Sequence, residues 1–181
     1  LYQVNSMAGF HTKTFAKHDS YMTPKSAWEN IKDYIPKDKV IWEAFYGDGT
    51  SAENLRDLGF NVVSEDIDFY KCDRGDIIVT NPPFSDCKNV FTRLAILDKP
   101  FIMILPVSKI CTSYFRDWLE DMEALHPEIQ DQIQLIVPKR RIQFIKMVDG
   151  HRVDMKSCCN FDCYYYCHRI NLKKSITHLC T

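Results

Sequence analysis

Hydrophobic positions along the chain switch between two periods. Short continuous runs rich in Val, Ile and aromatic residues alternate with stretches whose apolar residues recur every three or four positions. The first pattern predicts strands and the second helices. Val40–Phe45 reads as an early strand ended by Gly47 and Gly49, and Thr50–Leu58 as a helix with Ala52, Leu55 and Leu58 on one face. Asn61–Glu65 is predicted as a second strand and Asp76–Thr80 as a third. The unbroken Ile77-Ile78-Val79 suits a strand covered on both faces. After the turn at Asn81-Pro82-Pro83 come a helix at Cys87–Leu97 and a strand at Phe101–Leu105, stopped by Pro106. An amphipathic helix at Cys111–Leu125, ended by Pro127, and a strand at Ile133–Val137 follow. Arg141–Val148 and Phe161–Ile170 are predicted as late strands joined by a polar loop, and Lys25–Tyr34 as a short helix ahead of the first strand. The alternation predicts an α/β domain with a mostly parallel sheet and helices on both faces. One domain over 1–181 is expected, with an extension over 1–20, a core over 21–170 and a tail over 171–181.

Composition narrows the class. Apolar residues make up 45% of 181, enough for a packed core. No run approaches the ~20 apolar residues of a membrane span, and Leu1–Phe10 lacks the charged-then-apolar pattern of a secretion signal. Eight cysteines suggest a disulfide framework, but Cys72, Cys87 and Cys111 sit in or beside segments that read as core. Free thiols in a reducing, intracellular setting (cytoplasm or nucleus) are the expectation. Net charge is −1, yet Lys139–Lys156 alone carries +4, leaving the remainder at −5. Lys139, Arg140 and Arg141 head that segment and are candidate phosphate contacts.

Gly47-Asp48-Gly49-Thr50-Ser51-Ala52 has the spacing G-x-G-x-x-A between a strand and a helix. Such a turn lets a ligand approach the backbone, and Asp66, just past the second strand, offers a carboxylate to ribose hydroxyls. NAD and S-adenosylmethionine both present that ribose. Glu43 bears on the choice: a carboxylate by the turn repels a pyrophosphate and suits an ammonium and a sulfonium.

Asn81-Pro82-Pro83-Phe84 follows the apolar strand. An aromatic amine is a poor nucleophile because its lone pair is delocalised into the ring. Accepting both amino hydrogens, on the Asn81 side-chain oxygen and the Pro82 carbonyl, favours a pyramidal nitrogen whose lone pair can attack a methyl group in line. Pro82 and Pro83 stiffen the turn. Phe84 offers a flat face to a base, a stack worth roughly 1–3 kcal/mol.

Together, Glu43-Ala44-Phe45-Tyr46-Gly47-Asp48-Gly49, Asp66 and Asn81-Pro82-Pro83-Phe84 resemble the amino-group methyltransferases of the DNA adenine-N6 type. Small phage and viral members look most similar, and cap-adenosine methyltransferases share the Asn-Pro-Pro-Phe signature. The resemblance runs from about Tyr21 to Ile170 and includes Tyr21-Met22-Thr23-Pro24, Leu105-Pro106 and Arg141-Ile142-Gln143-Phe144. It implies a Rossmann-like class I methyltransferase fold with a late antiparallel strand, in the gamma order of motifs. It implies S-adenosyl-L-methionine as cofactor, its methionine end held by Thr23 with Tyr21 and Pro24, and by Glu43 and Phe45. Gly47 and Gly49 would pass under it, Asp66 would take the ribose, Asp68 or Phe69 the adenine, and Asn81 would border both cofactor and target. Asn81, Pro82, Pro83 and Phe84 would hold the target base, an adenine in nucleic acid, with DNA favoured over RNA.

Two features depart from the family. Only Asp66–Gly75 separates the second strand from the Asp76 strand, curtailing the usual intervening helix and strand, and no separate recognition domain is evident. Sequence specificity then falls to loops, a partner subunit or a second copy. Guanine N2 in RNA, a protein glutamine amide, or a catalytically inactive binding subunit remain alternatives. Cys158, Cys159, Cys163, Cys167 and His168 lack the paired C-x-x-C spacing of structural zinc sites, so buried free cysteines and no metal are expected. Arg116–Asp131 holds six acidic residues and one basic, a surface phosphate would avoid.

Overall fold

The computed structural model describes residues 19, 21–148, 151–153 and 161–180. In chain order these form β1 (Tyr21–Met22), α1 (Lys25–Glu29), β2 (Val40–Trp42), α2 (Thr50–Asp57), β3 (Asn61–Val63), β4 (Ile77–Thr80) and α3 (Cys87–Leu97). There follow β5 (Phe101–Pro106), α4 (Ser113–Leu125), β6 (Gln134–Val137), β7 (Ile145–Val148), β8 (His151–Val153), β9 (Cys163–His168) and β10 (Ile176–His178).

Seven strands make one sheet in the order β10-β6-β9-β5-β4-β2-β3. All pairings are parallel except those of β9, which runs antiparallel to β5 and β6. The fold is Rossmann-like α/β with a late antiparallel strand, as expected. Every residue of β4 and β5 is buried, which matches their unbroken apolar sequences.

Adjacent residues of β9 show how the two faces are covered. The Tyr165 hydroxyl donates to the Ala27 carbonyl of α1 at 2.6 Å. The Tyr166 ring meets Phe115 of α4 edge-on, with centroids 5.8 Å apart. Alternate side chains of a strand point to opposite faces, so α1 lies on one side and α4 on the other. Trp28 of α1 donates to Ser51 of α2 at 3.0 Å, and Phe91 of α3 packs on Phe115 and Trp118 of α4. Each face therefore carries a helix pair.

The short link from β3 to β4 crosses directly beneath β2. Gly75, at φ +57°, sits so close that a Cβ there would come within 2.7 Å of the Val40 carbonyl oxygen. The Asp76 amide donates to that carbonyl at 2.7 Å, and the Asp76 carboxylate accepts from the Val40 amide at 2.8 Å. The missing helix and strand are thus replaced by two stitches onto β2.

Several boundaries differ from the sequence reading. The strand expected over Arg141–Val148 begins only at Ile145. Ile142 and Phe144 bury their side chains without a ladder partner, so their period-two pattern reports burial rather than pairing. β7 belongs to a separate antiparallel sheet with β1 and β8, in which Tyr21 faces Lys146. The expected tail over 171–181 contains β10, parallel to β6; Ile176-Thr177-His178 is too short and polar to read as a strand. The helix expected over Lys25–Tyr34 stops at Glu29 and tightens, Ile31 bonding to Trp28 and Tyr34 to Ile31. The Cys111–Leu125 helix starts at Ser113, because Val107–Cys111 forms a 3-10 turn and Thr112 is extended. Among the described residues no helix is long and apolar enough to cross a membrane.

Replacing Tyr165 with Phe leaves the Ala27 carbonyl without its buried donor and should cost about 1–2 kcal/mol. In a chain of this size that is a fall of roughly 2–8 °C in melting temperature, measurable by thermal unfolding; an unchanged transition would show that this bond does not hold α1 to the sheet.

Candidate active site

β2 pairs with β3 on one side and with β4 on the other, so the chain order reverses at β2. Connections leaving such a point diverge and open a crevice at the carboxyl ends of the strands. A cavity of about 330 Å³ lies there. Tyr21 and Thr23 reach it from β1, and Glu43, Phe45, Gly47 and Asp48 from the end of β2. Asp66, Asp68 and Phe69 enter from the loop after β3, and Asn81, Pro82, Pro83 and Phe84 from the corner after β4. The glycine turn and the Asn-Pro-Pro-Phe corner, separated in sequence, share one space.

Pro24 and Gly49 are not among the lining residues. Pro24 sits at the amino end of α1 in extended conformation. Gly49 occupies the left-handed region at φ +84° at the start of α2, and a Cβ on it would lie 3.0 Å from the Tyr46 hydroxyl. A positive φ of this kind suits glycine at the start of a helix.

Glu43 is buried to 1% exposure, and its carboxylate accepts from the Ser51 hydroxyl of α2, the Thr80 hydroxyl of β4 and the Phe45 amide at 3.3 Å. Ser51 in turn accepts from Trp28. Burial pushes the Glu43 carboxyl up to about 7, against the pull of those three donors. Thr80 immediately precedes Asn81, so the acid ties the strand end bearing the corner to the helix that follows the glycine turn.

The corner is fixed at further points. The Ser85 amide and hydroxyl donate to Asp19, and the Tyr70 hydroxyl donates to Asp86. Lys109, only 6% exposed, donates to the Phe84 carbonyl at 2.8 Å. Against this background the Asn81 side-chain oxygen stands out: it is buried and has no hydrogen-bond partner among the described residues. A buried acceptor left unpaired is costly, and this one belongs to a residue that lines the cavity.

Phe84 differs from the sequence reading. It lines the cavity but is 3% exposed, and its ring packs at steep angles against Phe144 and Phe161 with centroids 6.0 and 5.8 Å away. It is a wall set in an aromatic cluster rather than an open stacking platform. Phe69, also buried, contacts Trp42, Phe45 and Tyr70.

The cavity is acidic. Asp19, Glu43, Asp48, Asp66 and Asp68 line it, and among the described residues no Lys or Arg does. The Asp68 carboxyl is held below its ordinary range by hydrogen bonds from Lys71 and the Tyr70 amide. Lys139 and Arg140 instead border a separate hollow with Asn30 and Leu179. Lys139 bonds the Cys180 carbonyl, and Arg141 pairs with Asp162 at 2.9 Å. The structure therefore does not bring the expected phosphate contacts to the cavity wall. Lys156, Cys158 and Cys159 lie outside the described residues. Cys163 and Cys167 are buried in β9, and no cluster able to hold a metal occurs among the described residues.

Sequence reading missed Asp19, Ser51, Tyr70, Thr80 and Lys109. Ser51 and Thr80 carried a weak signal, being small hydroxyl residues flanking recognised motifs. Lys109 carried none, since a lysine between a strand and a helix reads as solvated surface.

A raised carboxyl favours its protonated form in the folded state. Between about pH 4.5 and 7 the folded chain holds a proton the unfolded chain has released, so stability falls as pH rises through that window. Glu43→Gln should remove a slope of up to roughly 1.4 kcal/mol per pH unit there. Parallel melting curves for both proteins from pH 4.5 to 8 test this, and coincident slopes would refute it.

No family model matches the chain, and no curated protein matches it. Among solved structures, a tRNA (m1A58) methyltransferase, TrmI, from Aquifex aeolicus is similar at 14% identity and a TM-score of 0.38, the match covering 82% of this chain and 69% of that one. A likeness at that level assigns neither substrate nor chemistry, which rest on the topology and the cavity.

Proposed function

We propose that this chain is an S-adenosylmethionine-dependent methyltransferase acting on the N6 amino group of adenine in nucleic acid, DNA ahead of RNA. The observation that carries the reading is that Asn81, whose buried side-chain oxygen has no partner among the described residues, lines the same cavity as the glycine turn. Five carboxylates with no cation among the lining residues disfavour a dinucleotide pyrophosphate and suit a ligand bearing ammonium and sulfonium charge. Thr23, Glu43, Phe45 and Gly47 would surround its methionine end, Asp66 its ribose, and Asp68 and Phe69 its adenine. Bound there, the cofactor supplies a methyl group already activated on sulfur.

The chain's own residues supply orientation. The Asn81 oxygen and the Pro82 carbonyl accept the two hydrogens of the target amine, and Pro83 keeps both acceptors at one angle. On transfer the N–C bond would form as the C–S bond breaks, and the thioether S-adenosylhomocysteine would leave. The nitrogen would release its extra proton to water afterwards, so no side chain need take a proton before attack. In duplex DNA the base must leave the stack, and a single strand offers it directly. The same corner fits guanine N2 or a glutamine amide, so the acceptor is decided by assay.

Tritiated cofactor should label adenine in nucleic acid, and pools of DNA, RNA and protein run side by side identify the acceptor. S-adenosylmethionine should raise the melting temperature, as a ligand of the folded state must; no shift at millimolar cofactor would favour a non-catalytic binding subunit. Asn81→Ala should lower turnover by about 100-fold or more, the scale of a lost oriented acceptor, with the cofactor-induced shift retained. Near-normal turnover in that variant would remove Asn81 from the chemistry.

A further inference from the structure

We infer that Lys109 and Asp19 are positioning residues that clamp one peptide plane, Phe84–Ser85, and so set the reach of the Asn81–Phe84 corner toward its acceptor; this rests on the methyltransferase reading above. The two contacts fall on opposite ends of the same peptide unit. The Lys109 ammonium donates to its carbonyl at 2.8 Å, and the Asp19 carboxylate accepts from its amide at 3.3 Å while also taking the Ser85 hydroxyl. A cation on the oxygen and an anion on the hydrogen align with the peptide dipole, and charge-assisted bonds are stronger than neutral ones. Rotation of that plane, which would swing the corner, opposes both at once.

The arrangement is difficult to explain as incidental packing. Lys109 is 6% exposed, and a buried ammonium is retained only where partners compensate it. Its surroundings also include the Cys87 thiol, which burial pushes up to about 12 and so keeps neutral at pH 7, and the charge of Asp19. Lys109 comes from the 3-10 turn after β5 and Asp19 from just ahead of β1. Two segments remote in sequence converge on a single peptide one bond beyond the motif, with Lys109 absent from the cavity wall and Asp19 part of it.

The test uses the full chain with K109M, K109Q and D19N, reading turnover and cofactor affinity separately. K109M should lower kcat by about ten- to a hundred-fold, the effect of misplacing reacting groups by about 1 Å, while cofactor affinity stays near wild type. K109Q restores a donor and should recover much of the loss. D19N should lower kcat, and its effect should be non-additive with that of K109M because both act on one peptide. Wild-type kcat in K109M, or cofactor affinity falling in step with kcat and no recovery in K109Q, overturns the clamp. Should K109M fail to fold, D19N decides: a wild-type kcat in D19N, or a loss of cofactor affinity in step with kcat, overturns it. A wild-type chain that methylates no acceptor pool overturns the underlying reading and the clamp with it, whereas an active wild type with an unaffected K109M overturns the clamp alone.

Discussion

A single buried carboxylate holds the centre of this molecule together. Glu43 receives hydrogen bonds from a helix, a neighbouring strand and its own turn, and each donor belongs to a segment that also borders the cavity. The carboxylate is neither free in solvent nor paired with a cation, so its ionisation is sensitive to what enters beside it. Placing an acid there sacrifices some stability of the empty protein near neutrality. The same acid gives a positively charged guest a favourable neighbour. The position of the corner and the charge preference of the cavity are thus two results of one interaction.

The surrounding fold amplifies that interaction. Because chain order reverses at β2, three loops meet at one end of the sheet without crossing, and each brings one kind of group. The β2 loop brings the glycine turn, the β3 loop brings carboxylates and aromatics, and the β4 corner brings the amide. The lower layer is rigid: β4 and β5 are buried throughout, and β9 is pinned from both faces by Tyr165 and Tyr166. Oriented acceptors are useful in catalysis only when their support does not yield, and here the support is the driest part of the sheet.

How much of this was legible in the residues depended on locality. Ile77-Ile78-Val79 announced a central strand, and Cys87–Leu97 announced its helix to the residue, because each is specified by an unbroken local pattern. The glycine turn and the corner were legible as motifs, and their meeting followed from parallel strands ending on one side. Burial of Phe84 was not legible, because its partners Phe144 and Phe161 lie far along the chain. Nor was β10, whose three residues are made a strand by β6 rather than by their own preference. Lys109 and Asp19 illustrate the general limit: their meaning resides in a peptide group that any sequence would contain.

Gly75 sets how closely the link from β3 to β4 approaches β2. The crossing beneath β2 is so tight that a methyl group would strike backbone atoms of β2 itself. Any side chain there would push this part of the passage away from β2. The abbreviated route between β3 and β4 is therefore an economy that only a hydrogen atom permits.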